Sequence, residues 1–534
     1  MKKIFFILLI LSFHTYKSYS QNVSNKLSCK VVNATSKKPV VYATVMLKRI
    51  NRGTHADFNG KFEIPIKYQQ NDIIRISSIG FQTKEIKLST LKPDIVNLIY
   101  LNKANNKLDE IVIKTSKKKK KLFAKQIVRK AIANIFENYP IEKHSYMGYY
   151  RDYQQPTDNS YQKSIKSKEP IEYLNVNEAI IESFDAGFKT DKLKNKQNQA
   201  LLYNYKANKK FIQDSTLTIP YDNKRKKYSE SVYISPLGGN ELNILDLTNA
   251  IRNHDKMSFS FTNVFQKDFI KNHFFKTKEI VYLDDIPLYK IYFFSLKNRT
   301  SYEYSAYGHI YISKNDFAIH KLNYNLYYRQ KKNPQYSVTV EYTPKKDKMY
   351  LNYISFNNFF EATSGNYFKI DKTLFNAKYN TFKIFFNREL NVNTLEPYSR
   401  NFKIYYKGKK LKITNISIYN NNKRIVIVSI DKLSIQKINF DNETNNSNYG
   451  SYFTFDITKV KDINGFEIDK RSSIKMNQYR EFFVQEIFKN KRPPIQKNFI
   501  DKSLPLSKSI IYDLNIENNY WINTPLKSKK AVKN

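Results

Sequence analysis

The sequence predicts a mostly β protein: a small β-sandwich, then a large antiparallel α+β domain curved like half a barrel, with a second small β-sandwich inserted into it. Three observations carry this prediction. The chain has 42 Tyr and 37 Phe, which alternate with polar residues over many short runs, the period of a half-buried strand. Turn signals such as Asp57-Phe58-Asn59-Gly60 and Asp462-Ile463-Asn464-Gly465 separate those runs. Helical spacing is confined to a few segments, and 534 residues suffice for about three or four domains.

Residues 1–20 read as a secretory signal. Met1-Lys2-Lys3 supplies the positive start, Ile4 to Leu11 an apolar run too short to span a bilayer, and Ser18-Tyr19-Ser20 the small residues of a cleavage site before Gln21. Cys29 lies too far downstream, with Lys26 before it, to take a lipid anchor; its neighbours Leu27 and Val31 make it a strand residue. No later stretch reaches the 18 uninterrupted apolar residues of a transmembrane helix. The expectation is an exported protein of the periplasm, or one attached peripherally to the outer membrane.

Residues 26–113 form the first sandwich. Strand-like runs fall at Lys30–Asn33, Tyr42–Lys48, Gly60–Ile66, Asp72–Ser77, Lys84–Leu88, Val96–Leu101 and Glu110–Lys114, read as antiparallel. In the Asp57–Gly60 turn the Asp can accept from amides ahead of it, and the Gly can take the positive φ that closes the hairpin. Four stretches then carry a resemblance: PVVYATV from Pro39, GTHADFNGKF from Gly53, ISSIGF from Ile76 and LDEIVI from Leu108. Together they resemble the carboxypeptidase-regulatory-like, transthyretin-type domain of exported proteins in Gram-negative envelopes, with Cys29 where a Gly is usual. The resemblance implies a β-sandwich without catalytic residues. None of the seven His has a Glu three residues on, and none makes H-E-x-x-H, so zinc-peptidase chemistry is absent. The same module heads TonB-dependent receptors, but about 420 residues after Lys114 are too few for a plug and a 22-stranded barrel.

Residues 114–139 are a basic linker and an amphipathic helix. The run Lys117, Lys118, Lys119, Lys120 and Lys121 is a solvated hinge or a contact for anionic lipid. Leu122, Phe123, Ile127, Val128, Ala131, Ile132 and Ile135 then share one helical face, ending near Asn138 before Pro140. The large antiparallel domain spans 140–385 and resumes over 471–525, with strands at Val281–Leu283, Tyr289–Leu296, His309–Ser313, Ala318–Tyr328 and Ser337–Tyr342. Helical spacing appears at Val176–Phe184 and Asp246–Asn253. Tyr149-Tyr150-Arg151, NEAIIESFD from Asn177, PLGGNELNILD from Pro236, GHIYISKNDFAI from Gly308 and YREFFV from Tyr479 resemble the larger part of the same exported family. The strand pair around Ile312 to Ile319 resembles the half-barrel of periplasmic lipoprotein carriers, which implies an apolar hollow; a filled core is the alternative.

Residues 386–470 read as the inserted sandwich, with a hairpin through Ile416–Tyr419, Asn420-Asn421-Asn422 and Ile425–Ile430, and a strand at Tyr452–Val460. The spacing resembles Ig-like modules of bacterial surface proteins. Residues 526–534 form a basic tail.

Lys and Arg total 91 against 47 Asp and Glu, a net charge of +44. That balance suits anionic partners, yet the excess is spread along a chain rich in Lys, Asn, Ile, Tyr and Phe, as an AT-rich coding sequence would give. Export removes nucleic acid from the expected partners. One Cys excludes a disulfide framework and a multi-cysteine zinc site. A phosphate loop and a G-x-S-x-G elbow are both missing. Asp284-Asp285 reads as an exposed turn rather than a catalytic pair, and Trp521 as a core anchor. The sequence names no catalytic, cofactor-binding or metal-binding residue and no cofactor, and it leaves the ligand residues unknown. The expected function is a non-enzymatic envelope protein that binds or scaffolds protein or glycan partners. A periplasmic lipid or lipoprotein carrier with an apolar half-barrel is the first alternative. A glycan hydrolase with two acids about 5–10 Å apart in a groove is the second.

Overall fold

The structure, a computed structural model, describes residues 26–70, 72–104, 122–165, 167–168, 170–214, 240–255, 267–297, 303–328, 333–363, 367–395, 398–436, 453–470, 473–495, 498–512, 520 and 522–524. Residues 1–20, expected to be a signal sequence, and Glu110–Lys114, Lys117 to Lys121, Trp521 and the basic tail lie outside these residues.

The N-terminal unit consists of β1 (Lys26–Asn33), β2 (Thr44–Leu47), β3 (Arg52–His55), β4 (Lys61–Pro65), β5 (Ile73–Ser77), β6 (Lys84–Lys87) and β7 (Val96–Leu101). Two sheets, ordered β4-β1-β7 and β3-β2-β5-β6, enclose a core of Leu27, Val31, Val45, Phe62, Ile64 and Ile74 among others. Strand alternation is clean: β4 reads half-buried and buried in turn, and β7 exposed and buried in turn. One expectation is corrected. The sandwich is mixed rather than antiparallel, because β1 pairs with β7 in parallel from Ser28↔Val96 to Asn33↔Leu101. The Asp57 carboxylate accepts from the amides of Asn59 and Lys61, both at 2.8 Å, and Gly60 sits at φ 72°, so that turn is built as its sequence requires.

Helices α1 (Ala124–Ala133) and α2 (Ile135–Asn138) follow. Ala124, Ile127, Val128, Ala131 and Ile135 are buried, while Phe123 stays exposed and its amide donates to the Gln126 side chain at 2.9 Å, closing the first turn. The large sheet then forms from β8 (His144–Pro156), β9 (Leu174–Asp185), β10 (Ala200–Ala207), β11 (His273–Leu283), β12 (Ile286–Ser295), β13 (Tyr304–Ser313), β14 (Ile319–Tyr328), β15 (Tyr336–Lys345) and β16 (Lys348–Thr363). The short helices α3 (Ser160–Ser164), α4 (Leu242–Thr248) and α5 (Lys267–Asn272) lie in its connections. Val176–Phe184 is strand, not helix. It runs through β9 with both faces covered, and burial on both sides erases the period-two signal from the sequence.

Next come β17 (Ile370–Asn376), β18 (Thr381–Phe386), β19 (Phe402–Tyr406), β20 (Lys409–Lys410), β21 (Ile413–Tyr419), β22 (Asn422–Ile430) and β23 (Phe453–Ile457). They form two small sheets, β17-β18-β22-β21 and β20-β19-β23, around a separate core that includes Phe382, Ile384, Ile404, Val426, Val428 and Phe453. The start of this unit differs from the expected 386, since β17 and β18 pair within it and already belong to its sheet. Asp462 repeats the Asp57 device, accepting from the amides of Asn464 and Phe466 at 2.9 Å before Gly465 at φ 84°.

The chain then returns as β24 (Ser473–Lys489), which enters the large sheet between β8 and β16. The sheet is antiparallel throughout, in the order β10-β9-β8-β24-β16-β15-β14-β13-β12-β11. Its inner face meets α1 in one core that gathers Leu202 from one edge strand and Phe275 from the other. Its outer face carries the N-terminal sandwich. There Tyr42 stacks on Tyr353 at 5.0 Å, His55 meets Tyr353 and Phe483, and Phe58 stacks on Tyr479.

Candidate functional site

A cavity of about 790 Å³, its open mouth included, lies on the inner face of the sheet. Strands β8, β9, β16 and β24 form its floor, and α4 with the chain around Ile500 forms its wall. The apolar lining comes from Ile181, Leu242, Leu245, Leu351, Phe482 and Ile500. Phe482 reaches this position by lying over Gly148 on the neighbouring strand; a Cβ there would collide with its ring.

The polar side of the cavity is a charge cluster. Asp185, at the end of β9, is held by the Arg252 guanidinium in a fork, with Nε and Nη2 donating at 2.9 Å to its two oxygens. Arg252 also donates to the carbonyls of Gly187 and Thr190 at 2.8 Å and lies over the Phe188 ring. Burial alone would raise the Asp185 carboxyl, but Lys192 and Arg252, helped by His144, outweigh it and hold the group well below the usual carboxylate range. Lys192 is buried, yet its ammonium has only long contacts: the Phe184 carbonyl at 3.5 Å, and Asp185 and Asp246 at 3.6 Å each. Lys502, exposed at the mouth, donates to the Asn198 carbonyl at 3.0 Å, and desolvation pulls its ammonium below its ordinary value. Three cations thus face the cavity against two carboxylates.

These residues come from positions 185 to 502, so no local motif contains them. A signal was nevertheless present: Asp185 closes the stretch NEAIIESFD, Asp246 closes PLGGNELNILD, and Phe482 lies within YREFFV. The fold brings those three stretches to one cavity. Other singled-out residues go elsewhere. Cys29 is buried in β1 with its thiol pushed up to about 12 by burial and by Glu63, which leaves it unreactive. Asp284 is not a merely solvated turn residue: it pairs with Arg75 at 2.6 Å, accepts from the Thr83 hydroxyl, and so ties the β11–β12 turn to the N-terminal sandwich. Asp285 joins no ion pair among the described residues. His14 lies outside the described residues. His55, His273 and His320 are buried with their rings pushed down to about 3, 4 and 4, and no group of three or more His, Cys, Asp or Glu among the described residues is placed to hold a metal ion.

A second buried cluster lies between the sheet and the N-terminal sandwich. Arg151, 1% exposed, donates to Glu481 at 2.6 Å and to the Asn523 carbonyl at 3.2 Å. Glu481 also accepts from the Tyr353 hydroxyl at 2.8 Å. Asn523 spans the seam, accepting from the Glu63 amide and donating to the His55 carbonyl. This cluster joins the regulatory-like domain to the sheet.

Residues 27–113 match the family model of the CarboxypepD_reg-like domain. The chain carries an N-terminal carboxypeptidase-regulatory-like domain. The TonB-dependent receptor SusC of Bacteroides thetaiotaomicron is 32% identical over 113 residues, which make up 21% of this chain and 10% of the receptor. The chain therefore spans about a tenth of that curated relative, a length close to that of the regulatory-like domain alone. A LolA superfamily protein from Nitrosomonas europaea aligns with 45% of this chain and 86% of its own at 12% identity, with a TM-score of 0.18, which is too slight to bear on the fold.

Proposed function

We propose that this is a non-catalytic binding protein of the Gram-negative envelope, exported by residues 1–20, whose ligand seat is the cavity on the inner face of the large sheet. One observation carries the reading: a cavity with an apolar floor and an under-paired buried ammonium, Lys192, at its polar side. A concave, mostly apolar site with a few placed polar groups is the usual form of a small-ligand site. The surplus cation selects an anionic head group and the floor an apolar body, which favours the half-barrel carrier of an amphiphile over a scaffold alone. The regulatory-like domain and the Ig-like insert, taken as units over 26–113 and about 367–470, then serve contacts with protein or glycan partners, as the likeness of the first to part of a TonB-dependent receptor suggests.

The hydrolase reading meets a physical objection. Asp185 and Asp246 both approach Lys192, so a pair of acids does line the cavity. Asp185, however, is held too low for a general acid, and both of its oxygens are taken by the Arg252 fork, which leaves neither free to act as nucleophile or base.

The test is to extract the purified exported chain with organic solvent, identify the extract by mass spectrometry, and titrate the emptied protein with a fluorescent fatty acid. One amphiphile per protein, with binding reduced about tenfold in Lys192→Gln and abolished in Leu351→Trp, is the expected result. A clean extract together with no fatty-acid binding would remove the carrier reading.

A further inference from the structure

The regulatory-like domain meets the outer face at β16 and β24 and reaches the β11–β12 turn, where the Gly80 amide donates to the Tyr282 carbonyl and Arg75 pairs with Asp284, at the end of β11 away from Phe274. On the wing formed by β11 to β14 an aromatic row remains in the open. Phe274 on β11 stands directly opposite Phe294 on β12, which stands opposite Tyr307 on β13, and Tyr327 on β14 stacks on Tyr307. Their exposures, 46% for Phe274, 38% for Phe294 and 36% for Tyr307, are high for large apolar side chains placed side by side. The opposite residues on the same strands, Phe275, Phe293 and Ala306, belong to the inner core, so the row is a second apolar face and not the edge of the first.

Lysines border the row. Lys276 and Lys278 are exposed on β11, and neither has an acid within ion-pair distance among the described residues; the Lys278 ammonium lies 5.0 Å over the Tyr292 ring. Glu279 is neutralised by Lys290 at 2.7 Å. The patch is therefore aromatic and net positive, on a chain that is itself strongly positive.

We infer that this wing docks on the head-group layer of an anionic bilayer, with Phe274, Phe294 and Tyr307 at the acyl boundary and Lys276 and Lys278 on lipid phosphates. Interfacial aromatics with flanking lysines gain both apolar burial and attraction to anionic lipid. Two other occupants fit less well. Sugar rings need open aromatic faces, but Tyr307 and Tyr327 are stacked 4.6 Å apart at 9°, so their facing sides cover each other. A second copy laid symmetrically on the row would bring the same lysines together. This inference concerns the face opposite the cavity and stands without the carrier reading.

Flotation of the chain from Gln21 onward with vesicles of phosphatidylcholine and phosphatidylglycerol, and of phosphatidylcholine alone, tests it. We expect flotation with the anionic vesicles only, a fall of about tenfold in Phe274→Ser/Phe294→Ser/Tyr307→Ser, a comparable fall in Lys276→Glu/Lys278→Glu, and none when Lys117 to Lys121 are changed to Gln. A folded Phe294→Trp chain supplies an independent reading, because its added fluorescence should be quenched by brominated lipid. Flotation unchanged in the aromatic variant, flotation abolished by the Lys117–Lys121 change, or unquenched added fluorescence from vesicle-bound Phe294→Trp protein would each overturn the inference.

Discussion

His55 sits at the seam between the regulatory-like domain and the large sheet, and neither ring nitrogen has a hydrogen-bond partner among the described residues. Its ring is pushed down to about 3 by burial and then by Lys321, so the unfolded chain, at roughly 6.5, takes up the proton first. Stability is therefore whole above about pH 6.5 and is lost as pH falls toward the folded value. His55→Phe should keep the contacts with Tyr353 and Phe483 and flatten part of the decline in melting temperature between about pH 6.5 and 4, measured against the parent chain. Asp152, buried on the inner face beside Tyr150, has the opposite sign. Burial and Glu241 raise its carboxyl to about 7, against Arg480. Its contribution is present below the unfolded value of about 3.9 and is lost as pH rises through about 7. Asp152→Asn should thus be more stable than the parent at about pH 8, by on the order of 2 kcal/mol, with the difference vanishing near about pH 4; urea melts at the two pH values decide it. For Arg151, truncation to Met strands a buried Glu481 carboxylate and should cost about 3–5 kcal/mol, whereas removing both partners should cost much less. A double-mutant cycle reads the difference.

At the scale of elements, the amphipathic helix and the strands with one wet face were legible because their periodicity survives in the sequence. Helix α1 has Ile127, Val128 and Ala131 on its buried side, and Ile127→Ala should destabilise by about 2–4 kcal/mol through the cavity it leaves, as calorimetry would show. Strand β9 was illegible for the converse reason. Every residue from Glu178 to Glu182 is buried, whichever face it points to, so no alternation marks the segment as a strand. β3 was missed because Arg52-Gly53-Thr54-His55 has little strand propensity; it forms as the strand that meets β24 and Tyr353. Gly148 shows the same dependence on neighbours, since its missing side chain makes room for the Phe482 ring across the β8–β24 ladder.

For the whole molecule, the inserted sandwich interrupts a hairpin. β16 and β24 are antiparallel neighbours, and the ladder begins at Thr363↔Ser473, the residues on either side of the insert. Replacing residues 364–472 by an Asn-Gly turn should therefore leave the large sheet folded, with a strand-rich far-ultraviolet spectrum and a cooperative melt retained. Collapse of the shortened chain would mean that the insert's core contributes to the sheet's stability. The regulatory-like domain, in contrast, is fastened at both ends of its contact. Arg52–Glu486, Arg75–Asp284 and the Asn523 bridge hold it to the outer face, so it is not a free module on a string.

Local sequence alone was enough for the mostly β class, the regulatory-like sandwich, the turns at Asp57 and Asp462 and the buried face of α1. Each of these is written in periodicity or in turn chemistry within short stretches of chain. The parallel pairing of β1 with β7, the place of β24 in the sheet and the meeting of Asp185, Lys192, Asp246 and Lys502 at one cavity came from tertiary structure. Those pairings join residues far apart in the chain, and which strands become neighbours is set by the packing of whole faces, a quantity that no local pattern encodes.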